Sequence, residues 1–396
     1  MLEGIAELPL HDGHVPPHLL RYMKRLARAL LLYLVDEFGP DEVVRRLADP
    51  FWFQAFNNVI GMDWDSSGST TVVLYVLKNV ANTKSFGELG MAVLGGKGAD
   101  ARRVPQELRE LGDNVDVSRL ETASRVGARI DSALLQDGYT LYIHGLIVSE
   151  SGLWTVVQQG MNIEVRMARR YHVHGALPPP LSREPHSGVA CNGTSPSLNL
   201  VDEPSEQTRR TMVDLVAEGP RRLLRDVALV NRMLKGVTGL ERWLGTQVPT
   251  PLRALRITRT NPRFYRPVAD LRRIERGLRR LAEASPRSFE ELALVPGVGP
   301  ETIRALALVA DLIYNARPSH RDPVTHPMDP LVYAYAHGGK DGFPFPVDLK
   351  TMERTIAMLE AAIDSSRIEL REKRRALKRL ADFVKALGLR SELHPV

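Results

Sequence analysis

Apolar residues recur at three- and four-residue spacing from about 16 to 60, the rhythm of an amphipathic helix. The stretch "PPHLLRYMKRLARALLLYLVDEFG" begins with prolines and stops at a glycine, and "PDEVVRRLADPFWFQAF" repeats that grammar, so helices are predicted there. "VIGMDWDSSGSTTVVLYVLKNVA" then reads as a short strand, a Ser/Gly/Thr turn and a segment that fits either helix or strand. "GMAVLGGKGADARRVP" is a short apolar segment running into a glycine-rich basic loop. Tyr139–Val148 and Leu153–Asn162 are strand-like and joined by "SESG", which predicts a β-hairpin. "RMARRYHVHG" and the proline-rich "ALPPPLSREP" follow, and Leu198–Val201 reads as one more short strand.

From about Glu206 the pattern becomes helical and basic, apart from a proline-broken connection around 248–267. The expected architecture is therefore an α/β (or α+β) domain at 1–203 followed by an all-α domain at 204–396. At 396 residues the chain exceeds what one ordinary core supports, which agrees with a division. No apolar run reaches the ~18–20 residues of a membrane span, and "MLEGIAELPLHDGH" has neither the basic start nor the apolar run of a secretory leader. Cys191 is the sole cysteine, which excludes an internal disulfide and a cysteine-rich zinc site and fits a reducing, cytoplasmic setting. The charge of +6 permits a nucleic-acid partner. Of the 53 basic residues ten are lysine and the rest arginine, whose planar fork suits phosphate; a GC-rich genome or a hot habitat would give the same bias.

Within the helical part, "SFEELALVPGVGPETIRALALVADLIY" holds the densest local signal. Ser288 and Glu291 form a capping box, and Pro300 suits the first position of a second helix. Between the helices, Gly297 and Gly299 can take positive φ and bare their N–H groups, with Val298 between them, at the positive end of that helix. This segment resembles the helix-hairpin-helix, a DNA-backbone clamp of glycosylases, nucleases, polymerases and ligases; the competing reading is an ordinary αα-turn. Glycosylases with the motif often carry a Schiff-base lysine two positions after the second glycine, where this chain has Glu301. The same resemblance implies a catalytic Asp about twenty residues on, and Asp322 lies slightly late for it.

Other constellations carry chemistry beside blander readings. Asp63 and Asp65 in "GMDWDSSGSTT" would suit Mg²⁺ or Mn²⁺, or cap a helix. Lys97, Arg102 and Arg103 in "LGGKGADARR" offer phosphate contacts, or a solvated loop, without the spacing of a nucleotide P-loop. Gln158, Gln159, Arg169, Arg170 and His172 combine amides that read base edges, arginines that bind phosphate and an imidazole that moves protons; turn formation is the alternative. His172 with His174, and His186, are weak metal candidates. His337, Lys340 and Asp341 sit in "YAHGGKDGFPFPVD", either presenting Lys340 to a phosphate or an abasic sugar or simply linking two helices.

Along its whole length the chain also resembles the archaeal and bacterial domain-of-unknown-function family 763, through "PLHDG", "DPFWFQAF", "DSSGSTT", "GGKG", "QDGY", "VVQQGMN", "ARRYH", "LVPGVGP" and "HGGKDGFPFPVD". The resulting expectation is a cytoplasmic DNA repair or processing enzyme. Hydrolysis of the phosphodiester is first choice, with Asp63, Gln158, Gln159, Arg169, Arg170 and His172 as the centre. A glycosylase using Asp322, with Lys340 as lyase nucleophile, is the runner-up, and a structure-selective DNA-binding scaffold is the non-enzymatic alternative. DNA is the expected partner; no nucleotide or redox cofactor is expected.

Overall fold

The computed structural model describes residues 15, 17–62, 68–175, 182–191, 193–235 and 261–326. Asp63, Asp65, His337, Lys340 and Asp341, the proline-rich run and everything beyond 326 lie outside those residues.

Helices α1 (Pro17–Phe38), α2 (Pro40–Leu47) and α3 (Pro50–Val59) fill the first helical stretch, each with proline at its start. Asp49 caps α3 by accepting from the N–H groups of Phe51 and Trp52. Where a short strand is expected to open "VIGMDWDSSGSTT", Val59 ends α3 and a turn follows up to Met62, with 63–67 outside the described residues. The undecided segment is helix α4 (Gly68–Val80), and a single turn, α5 (Phe86–Leu89), leads into strand β1 (Met91–Lys97). Helices α6 (Val104–Leu111) and α7 (Val117–Arg129) come next, and α7 widens into a π-turn at Ile130–Leu134.

The predicted hairpin is present as β3 (Thr140–Ser149) and β4 (Trp154–Asn162), preceded by the two-residue β2 (Leu135–Gln136). "RMARRYHVHG", which the sequence pattern leaves unassigned, is strand β5 (Met167–His174), and β6 (His186–Ala190) completes a five-stranded antiparallel sheet in the order β1-β3-β4-β5-β6. β7 (Leu198–Asn199) pairs with β2. The N-terminal region is thus a mixed α/β structure on an antiparallel sheet. Helices α1–α4 cover one face through Leu31, Leu47, Phe53, Leu77, Val93, Ile147 and Val157, and α6 and α7 cover the other through Leu94, Leu108, Leu120, Leu146, Val156 and Val173.

Further on, the described residues form α8 (Glu206–Ala217), α9 (Pro220–Leu234), α10 (Leu271–Ala284), α11 (Phe289–Leu294) and α12 (Pro300–Leu312). Their core takes in Val126 of α7, Ile130 and Leu134 of the π-turn, Leu198 of β7 and Leu200 just after it, so apolar packing crosses the boundary expected at 203. A buried ionic knot reinforces that junction. Arg169, on β5, donates to Asp137 Oδ2 (2.9 Å), Asp322 Oδ2 (2.9 Å) and the Gly193 carbonyl (3.0 Å), with its guanidinium 4.5 Å from the Tyr139 ring. Burial alone would favour the neutral guanidine, but Asp137, Tyr171 and Asp322 more than offset it and hold Arg169 above its ordinary pKa. Arg169→Ala would leave two carboxylates buried without their cation. It should lower the unfolding free energy by about 3–5 kcal/mol in urea denaturation; a loss near zero would show that the knot does not hold the junction.

Candidate nucleic-acid interface

The hairpin between α11 and α12 is built as its residues dictate. Ser288 caps α11 through the Glu291 N–H (3.1 Å), and Glu291 reaches back to the Arg287 N–H (2.7 Å). Gly297 has φ 79°, where a side chain is strained, and it is exposed. Gly299 differs from expectation: it caps α12 in an extended conformation (φ −95°, ψ 176°) that any residue can adopt. Among the described residues no carbonyl accepts from the N–H of either glycine, whereas the carbonyls of the turn are used. Arg129 donates to the carbonyls of Ala293 (2.7 Å) and Val298, and buried Val298 plugs the core, so α7 grips the hairpin from within.

The outer side is cationic. Gly277 lets α10 cross close to Thr302, since a Cβ there would lie 2.6 Å from the Thr302 hydroxyl. That close crossing brings Arg273 and Arg280 alongside the turn, with Arg276 exposed between them on the same helix face, three and four residues away. Arg273 comes to 3.6 Å from where a Cβ on Gly299 would sit, and Arg280 lies against Gly297 while donating to the Pro296 carbonyl (3.3 Å). Two glycine N–H groups at a helix N-terminus, flanked by two guanidinium groups, can hold one phosphate. Glu301, in the slot of the Schiff-base lysine, is bound by Arg266 and Arg304 at 2.7 Å each, and those arginines hold its pKa down against burial.

The five residues expected to share a centre are divided by the sheet, because successive strand residues point to opposite faces. On the α7 side Gln158 accepts from His144 Nδ1 (2.9 Å) and donates to the Gly127 carbonyl (3.0 Å) and to Asp131. His144 Nε2 accepts from the Ser124 hydroxyl (2.8 Å), and His186 contacts the other Asp131 oxygen (2.7 Å). The chain Ser124–His144–Gln158–Asp131–His186 has the order of a nucleophile, base and orienting group, but Ser124 and His144 are only 6% and 8% exposed, and no substrate reaches them. Its one advance signal was polar residues at inward positions of apolar strands.

On the α1–α4 side Gln159 accepts from Thr70 and donates to the Tyr142 hydroxyl. Arg170 donates to Gln54 Oε1 (3.2 Å) and lies 4.6 Å from the Phe53 ring, and His172 Nδ1 donates to the Leu47 carbonyl (3.0 Å). Asp322, besides Arg169, accepts from the N–H groups of Ser195 (2.7 Å) and Val324 (2.9 Å). Lys97 is exposed, 5.8 Å from the Tyr142 ring; Arg102 is exposed and Arg103 sits 3.9 Å from both Asp100 and Glu107. His174 turns to Thr155 (2.9 Å). Among the described residues no group of three or more His, Cys, Asp or Glu side chains could hold a metal ion, and no helix is long and apolar enough to cross a membrane.

A sequence profile of the family described as "Protein of unknown function (DUF763)" matches residues 4–347. The chain belongs to the DUF763 family. No curated protein and no solved structure matches it. The match takes in both glycines of the hairpin, the whole sheet and Lys340.

Burial drives the pKa of His144 and, more strongly, His172 below the ordinary 6.5; Gln158 opposes this for His144, and the Arg170 charge adds to it for His172. Folding thus favours the neutral form of both, while the unfolded chain protonates them below about pH 6.5. Their contribution is therefore intact above that pH and is lost as pH falls below it, by up to about 1.4 kcal/mol per pH unit for each. Urea denaturation between pH 7 and 5 should show falling stability, with a shallower slope in His172→Gln; a flat profile would contradict the burial of these imidazoles.

Proposed function

We propose that this DUF763 protein is a DNA-processing enzyme whose region from 204 onward is an all-α helix-hairpin-helix domain clamping the phosphodiester backbone. The observation that carries the reading is the pairing of unused Gly297 and Gly299 N–H groups with Arg273 and Arg280 at the start of α12. An ordinary αα-turn has no need of a cation stripe beside bare backbone. One end of the sheet adds to the surface: β1 ends at Lys97, which pairs with Ile143 near the start of β3, and β2 lies one residue from Asp137. Gln136, on β2 of the small β2–β7 sheet and four residues before β3, donates to the Pro300 carbonyl (2.9 Å), which ties the approach to β3 to the hairpin.

Phosphodiester hydrolysis is the proposed chemistry, with Mg²⁺ or Mn²⁺ on Asp63 and Asp65. Gln159, Arg170 and His172 are buried on the sheet face covered by α4 and held by Thr70, Gln54 and Leu47, so they serve that centre as its supporting wall and the acidic pair carries the proposed chemistry. The N-glycosidic alternative is less favoured, because Asp322 already accepts from Arg169, Ser195 and Val324. Incubation of labelled duplex, flap and damaged DNAs with Mg²⁺ or with EDTA distinguishes nicking from base release and from binding without product.

The conformations of the two glycines allow a clean test of the clamp. Gly299→Ala meets no backbone strain and only an ordinary contact to Arg273, so folding should be unchanged while DNA affinity falls about tenfold, ~1.4 kcal/mol. Gly297→Ala should lose affinity and also about 1–2 kcal/mol of stability from its positive φ. Unchanged affinity in a folded Gly299→Ala protein, read by fluorescence anisotropy, would overturn the clamp.

A further inference from the structure

The β4–β5 turn is the least expected surface feature of the sheet. Its four residues are Ile163, Glu164, Val165 and Arg166, and Ile163 is 75% exposed and Val165 51%. Turns ordinarily draw Gly, Asn, Asp, Ser and Pro, because short polar or flexible residues satisfy the exposed backbone. Two β-branched apolar residues, one position apart at a tip, give up that advantage.

The tip is nonetheless held by specific bonds. Asn162, 4% exposed, accepts from the N–H groups of Glu164 (3.1 Å) and Val165 (3.4 Å), closing an Asx-type turn, and Arg166 takes the left-handed conformation (φ 53°) that returns the chain to β5. Glu164 pairs with Arg263 (3.3 Å), which also donates to the Asp137 carbonyl (3.1 Å). Gly138 makes room for it, since a Cβ there would lie 2.1 Å from the Arg263 guanidinium. Arg304, 1% exposed, fixes the same segment by donating to the carbonyls of Phe264 (2.9 Å) and Arg266 (2.6 Å), and Arg266 reaches Glu301 in the first turn of α12. The apolar tip and the glycine hairpin are thus joined by a short run of direct contacts.

We propose that Ile163 and Val165 form a wedge that enters the base stack of a DNA duplex whose backbone is held at Gly297–Gly299. The inference rests on the backbone-clamp reading above and adds deformation of the DNA to it. A duplex is the occupant that fits the charge: exposed Arg166 closes the tip, Arg263 lies against it on Glu164, Arg266 continues from Arg263 toward the hairpin, and Lys97 stands at the same end of the sheet. The Glu164 carboxylate is held by Arg263. Apolar side chains inserted between base steps unstack and kink DNA, and neighbouring cations hold the bent backbone. An enzyme that acts on irregular DNA gains from such a wedge, since unstacking is easiest at a nick, flap or mismatch.

The test uses the full chain and short duplexes carrying 2-aminopurine at each position in turn, with anisotropy reporting binding and emission reporting unstacking. Wild type should bind and raise emission severalfold at one or two positions. Ile163→Ser/Val165→Ser replaces exposed side chains only, and should keep its melting temperature, bind within about tenfold of wild type and lose most of the emission rise. An undiminished rise in the double variant overturns the wedge, as does wild-type binding with no rise at any position. If wild type does not bind at all, the clamp fails and the wedge with it, so the two failures are told apart by anisotropy.

Discussion

The short segment Gln136–Tyr139 is the constraint on which the rest of this molecule hangs, and the buried Arg169–Asp137 ion pair is what fixes it. Asp137 accepts at once from Arg169, the Tyr171 hydroxyl (2.7 Å) and the Tyr139 N–H (3.0 Å). Burial pushes its carboxyl up while Arg169 and Tyr171 pull it down, so the site works as a unit rather than as separate groups. On either side of that carboxylate the backbone does the joining. Gln136 pairs with β7 and reaches Pro300, and the Asp137 carbonyl receives Arg263. The knot therefore sets where the hairpin stands relative to the sheet end, a geometry that neither part could fix alone.

Much of the plan was legible in the sequence because local physics wrote it. Prolines at helix starts, the Ser288 cap and the SESG hairpin all describe interactions within a few residues and stand as expected, except that Glu291 reaches back to the N–H of Arg287 rather than of Ser288. The hairpin turn at Gly297 was legible for the same reason, and Gly299 was misjudged only in its φ. What failed was long-range. "RMARRYHVHG" has too many charged and polar positions to read as a central strand, yet it lies between β4 and β6 because Arg169 finds Asp137 and Asp322, 32 and 153 residues away. No local pattern carries such a partner.

The grouping of Gln158, Gln159, Arg169, Arg170 and His172 failed for a geometric reason. They are neighbours in the chain and across β4 and β5, with Gln159 opposite Arg170 and Gln158 opposite Tyr171, but the pleat sends alternate side chains to opposite sides. One set was absorbed into the ionic knot and the Ser124–His186 chain, the other into the helix-covered face with Gln54 and Thr70. Buried polar groups need partners, so each set was completed from within the molecule. Among the described residues, Gly297 of the hairpin, Arg273, Arg276 and Arg280 of α10, and Lys97 at the sheet end stay exposed.

Amide hydrogen exchange with and without a DNA duplex tests this account most directly, since it reports on bare backbone donors rather than on side chains. The account predicts slowing concentrated at Gly297, Gly299 and Glu301, in the turn and first residues of α12 where N–H groups would meet the phosphate, diminishing as salt rises. Protection on the opposite side of the sheet, or a hairpin whose exchange is unaltered by bound DNA, would contradict it.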